Sequence, residues 1–97
     1  MSRQDVLKIL HGETATVRAR FGVKRLKVFG SVARDEARAD SDVDVLVEFA
    51  GPVTLDRYMG LKFHLEDKLG ARVDLVTTSG LKARARLIVE REAIDVA

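Results

Sequence analysis

Ninety-seven residues allow one small domain over 1–97, and a 46% hydrophobic share suits a globular chain with a modest core. With 17 Lys+Arg against 15 Asp+Glu the net charge is +2, so bulk charge gives no reason to expect a nucleic-acid ligand. The absence of cysteine excludes a disulfide framework and a thiolate metal site. MSRQDVLKIL carries no signal-peptide run and no stretch reaches transmembrane length, so a soluble, cytoplasmic protein is expected. An enzyme this small has little room for a separate recognition domain. Much of its acceptor specificity would have to come from a partner or from the substrate itself.

In chain order, residues 2–21 read as a helix. Ser2 and Asp5 have capping-box spacing, Val6, Leu10, Val17 and Phe21 fall near one face, and Gly22 stands at the stop. Glu13 and Thr14 dilute that face. KRLKVF, residues 24–29, alternates as a half-buried strand with Leu26 and Val28 inward. Gly30-Ser31 breaks the pattern, and VARDEAR is expected to form a short helix from about Ser31. Residues 42–49 form a second strand, ended by Gly51-Pro52. Thr54 caps a helix running to Leu69, with Leu55, Tyr58, Leu61, Leu65 and Leu69 at helical spacing and Gly70 as its stop. A third strand follows at residues 72–77, and a last helix runs from Leu81 to about Ile94 with Leu81, Ala85, Ile88 and Val89 as its apolar positions. The order α-β-α-β-α-β-α indicates an α/β layer arrangement around a small sheet.

The chemistry concentrates between Val28 and Phe49. A strand that turns through glycine into a helix leaves backbone N–H groups unpaired, so Gly30-Ser31 can receive a phosphate, with the Ser31 hydroxyl as a further donor. The same dipeptide also serves as a plain turn and N-cap. Asp42 and Asp44 lie two apart on an extended chain and therefore share a face, while Val43, Val45 and Val47 point the other way. Like charges so placed repel unless a cation lies between them, and magnesium favours oxygen ligands of this kind. Solvent exposure on an open sheet face would account for them equally well. Asp74, in RVDLV, completes a three-carboxylate cluster if its strand lies beside the second one. Such a cluster can hold two metals about 3.5–4 Å apart. Arg34 follows Ser31 by three residues, and either neutralises phosphate charge or ties Asp40 or Asp42 in an ion pair. Lys24, Arg25 and Lys27 read as a solvated face. His11 and His64 are isolated and suggest no metal site.

Gly30-Ser31, ten residues, then Asp42-x-Asp44 resembles the signature of the DNA polymerase β superfamily of nucleotidyltransferases. Within it, FGSVAR…SDVDVLVEF is similar to the minimal nucleotidyltransferases (MNT), and LEDKLGARVDLVTTSGLKARARLIVEREAI resembles that family's second half, with Asp74 at its third carboxylate. The resemblance implies an α/β (α+β) nucleotidyltransferase fold with a small mixed sheet flanked by helices. It implies two Mg2+ ions on Asp42, Asp44 and Asp74, nucleotide contacts from Gly30, Ser31 and Arg34, and transfer of AMP from ATP. It further implies an antitoxin that adenylylates a tyrosine of a HEPN-family ribonuclease toxin. A binding-only antitoxin is the alternative, and a small-molecule nucleotidyltransferase a third. The chain departs from the family at Asp35, where many members have glycine; this places an extra negative charge near the turn.

Overall fold

The computed structural model describes residues 1–96. Two helices open the chain, α1 (Arg3–Gly12) and α2 (Thr14–Phe21), followed by β1 (Val23–Phe29) and a single-turn helix α3 (Gly30–Ala33). Then come β2 (Val43–Phe49), α4 (Leu55–Leu69), β3 (Val73–Thr77), a short 3₁₀ turn at Thr78–Gly80, α5 (Ala83–Glu92) and β4 (Ile94–Asp95). The four strands lie in the order β3-β2-β1-β4. β2 pairs parallel with β3 across the α4 connection, while β1 pairs antiparallel with both β2 and β4, so the sheet is mixed.

One sheet face is the core. Val6 and Leu10 of α1, Val17 and Phe21 of α2, and Leu61, Leu65 and Leu69 of α4 pack on Leu26, Val28, Val43, Val45, Val47, Val73 and Leu75. Because side chains alternate along a strand, burying the valines of β2 turns Asp44, Leu46 and Glu48 to the opposite face. Asp74, between buried Val73 and Leu75, shares that face.

Several expectations need correction. Residues 2–21 form two helices, not one: the chain leaves α1 at Gly12-Glu13, where the Glu13 N–H donates to Leu10 O at 3.0 Å. Glycine is a weak helix former, and the Glu13 carboxylate is drawn to His64 of α4, 2.7 Å away. VARDEAR gives only the one turn of α3, because Asp35 takes a left-handed φ of 59°. On α4 Leu55 is exposed, and on α5 only Val89 is buried while Leu87 and Ile88 face outward. The last helix stops at Glu92, and Ile94-Asp95 form a fourth strand against Lys27 and Val28 that was not expected. The Ser2–Asp5 capping box, the Thr54 cap and the stops at Gly22 and Gly70 are all present.

Candidate active site

The sheet register assembles the site. Phe29 of β1 pairs with Asp44 of β2, and Asp44 pairs with Asp74 of β3, so one row across three strands ends at the Gly30 turn. Gly30 takes φ +71° and rests on the Asp44 side chain: a β-carbon there would stand 2.9 Å from Asp44 Cγ and closer still to Oδ2. The glycine therefore serves two needs, a left-handed backbone and contact with a carboxylate.

Asp44 and Asp74 come together as neighbours on the open face. Asp42 lies just before β2, and its Oδ1 forms an ion pair with Arg72, 3.2 Å from Nε. Among the described residues no three Asp, Glu or His side chains close into a ready metal cage. The pair with Arg72 is largely exposed and hence weak, so it is a modest obstacle to a cation at Asp42. Asp44 carries the electrostatic signature of the site. Its pKa is pushed up from 3.8 to about 6, first by burial, then by the Asp74 carboxylate and to a lesser degree by Asp42, while Arg34 pulls it down. A crowded carboxylate short of countercharge suits a hard divalent cation, so the donor set fits magnesium.

Arg34 is held by two glutamates and not by the aspartates the sequence offered. Its Nη1 donates to both Glu92 oxygens, at 3.0 and 3.2 Å, and its Nε to Glu36 at 3.2 Å; neither Asp40 nor Asp42 is its partner. Glu92 and Glu36 raise its pKa further, Glu92 most. Glu92 also accepts the Gly30 N–H at 3.3 Å, so this amide, expected to be unpaired, is taken by a carboxylate. This residue escaped the sequence reading because 62 positions separate it from Gly30 and nothing local marks it. Ser31 is half-buried, and its hydroxyl makes no hydrogen bond among the described residues. Asp35 points away from the turn: it is exposed and accepts from the Arg3 N–H at 3.4 Å. His64 is engaged with Glu13 and, at 3.5 Å, with Arg20, and His11 is exposed.

The raised pKa makes a prediction for the metal-free chain. The folded state holds an extra proton on Asp44 between about pH 3.8 and 6, so stability falls as pH rises through that window. Asp44→Asn is expected to raise stability at pH 7 by roughly 1–2 kcal/mol, a figure discounted for the solvent reaching this half-buried group. It should also flatten the pH dependence from pH 4 to 7. Urea denaturation in EDTA across that range measures both; an unchanged profile would contradict the reading of the site.

Known proteins share this fold. The family model described as "Nucleotidyltransferase domain" matches residues 15–96. The chain is 42% identical over 96 residues to the protein adenylyltransferase MntA of Thermococcus cleftensis, covering 99% of this chain and 97% of that one. It is 41% identical over 75 residues to a protein assigned as an adenylyltransferase in Methanocaldococcus jannaschii, covering 77% and 81%. A solved structure assigned as a minimal nucleotidyltransferase superposes with TM-score 0.83 at 47% identity, covering 97% of this chain and 95% of that one. A toxin–antitoxin structure with AMP-PNP matches with TM-score 0.74 at 18% identity, covering 90% and 72%, and there the likeness is one of fold. So too for a chain from the structure of a tri-AMPylated Shewanella oneidensis HEPN toxin in complex with MNT antitoxin, TM-score 0.68 at 16% identity, covering 94% and 71%. The carboxylate row, the glycine turn beside it and these likenesses lead to one conclusion: the chain belongs to the nucleotidyltransferase domain family.

Proposed function

We propose that this chain is a magnesium-dependent protein adenylyltransferase, an antitoxin that transfers AMP from ATP to a tyrosine of a cognate HEPN-family ribonuclease toxin in the cytoplasm. The observation that carries the reading is the row Gly30–Asp44–Asp74, with a crowded carboxylate pressed against the turn. Support for a protein acceptor comes from the 42% identity to a protein adenylyltransferase.

In this reading Asp42, Asp44 and Asp74 would hold magnesium, two ions, which would supply charge for the phosphates and acidify the acceptor hydroxyl. The Gly30 turn and the free Ser31 hydroxyl orient the outer phosphates, and Arg34 lends positive charge on the nucleotide side. Asp74, on the strand beside Asp44, takes the proton of the acceptor hydroxyl. That hydroxyl attacks the α-phosphorus in line, the bond to the bridging oxygen breaks, and pyrophosphate leaves. Positioning and charge neutralisation supply most of the acceleration.

The test is which phosphate travels. With magnesium and the partner toxin, label from α-labelled ATP is expected on the toxin and label from γ-labelled ATP is not. Transfer of the γ-label would replace adenylylation with phosphorylation and overturn the proposal.

A further inference from the structure

Helix α3 has a single turn, and one turn fixes several dihedrals for very few hydrogen bonds. Val32 and Ala33 bury its inner side. Its outer side is held by Glu92, the last residue of α5. One carboxylate accepts the Gly30 N–H at 3.3 Å and the Arg34 Nη1 at 3.0 and 3.2 Å. Arg34 is also the residue whose backbone N–H closes the turn on Gly30 O, at 3.1 Å. Glu92 thus bridges the opening and closing residues of the turn. It leaves the Ser31 hydroxyl free while it occupies these two donors. Since Gly30 rests on Asp44, any movement of the turn is felt at the carboxylate row.

We propose that Glu92 is a positioning residue for nucleotide transfer, a latch from the last helix that fixes Gly30 and Arg34 so that Ser31 and Asp44 keep their spacing. This role rests on the nucleotidyltransferase reading of the site. Glu92 holds the turn from behind and makes no contact with the reacting atoms. Charge-assisted hydrogen bonds of this kind orient groups that do.

Glu92→Ala is expected to lower kcat/KM for magnesium-ATP by about ten- to a hundredfold, chiefly through kcat. Glu92→Gln keeps an acceptor for both donors and is expected to recover most of the loss. A readout independent of catalysis is amide exchange of the nucleotide-free protein. Exchange at Gly30 should speed by about tenfold or more in Glu92→Ala, with Val45 and Val47 still protected. Wild-type kcat/KM in Glu92→Ala, unchanged Gly30 exchange, or lost protection at Val45 and Val47 would each overturn the latch, the last by making Glu92 a general stability residue. A wild-type chain that transfers nothing would instead remove the reaction, and with it this role.

Discussion

Replacing Asp42 and Asp44 together by alanine is expected to reduce nucleotide transfer at least about a thousandfold while the fold survives. Metal-held charge stabilisation is worth several kcal/mol, and each 1.36 kcal/mol is about tenfold in rate. Survival of the fold follows from location. Neither side chain belongs to the core cluster, and removing Asp44 relieves repulsion from Asp74. The variant also separates the two antitoxin readings. If transfer neutralises the toxin, the variant still binds it but no longer protects cells. If binding alone suffices, protection persists at unchanged affinity. Isothermal titration for the complex and a growth assay for protection resolve the pair, and a variant that still labels its partner would defeat the catalytic assignment.

Gly30→Ala is the second large effect, and its cause is local. An L-residue at φ +71° costs about 1–2 kcal/mol in backbone strain alone. The new methyl would also run into the Asp44 carboxylate, with Cγ 2.9 Å away, and overpacking adds about 1–3 kcal/mol. Gly51 is the control: it too has positive φ, at +85°, but a methyl there meets nothing within 4 Å. Thermal denaturation should show Gly30→Ala losing more stability than Gly51→Ala, and only Gly30→Ala losing transfer. Equal losses in both variants would mean that Gly30 serves the backbone and not the site.

Much of this arrangement was legible in the sequence because its signals are local. The alternation of Val43, Asp44, Val45, Leu46 and Val47 decides which face each side chain takes, whatever the neighbouring strands. The Ser2 and Thr54 caps and the glycine stops depend on residues within one turn of each helix end. Other features are set at a distance. Whether Asp74 joins Asp44 depends on the parallel register of β2 and β3, which α4 arranges and no spacing reveals. The break at Glu13 is completed by His64, 51 positions away, and a two-residue strand such as Ile94-Asp95 is too short to show a period. Arg34 was placed near the turn by helical spacing, but its true partner, Glu92, arrives from the far end of the chain. Apolar spacing also misleads on α5: Ile88 follows the helical pattern yet stays exposed, 62% accessible, because nothing packs over it in the isolated chain.

The most direct measurement is the intact mass of the partner toxin after incubation with this protein, magnesium and ATP. The predicted result is a gain of whole AMP units on the toxin, absent with the Asp42→Ala, Asp44→Ala variant and absent in EDTA. A stable complex in which the toxin mass never changes would contradict transfer to the partner, leaving the nucleotidyltransferase fold to serve binding alone.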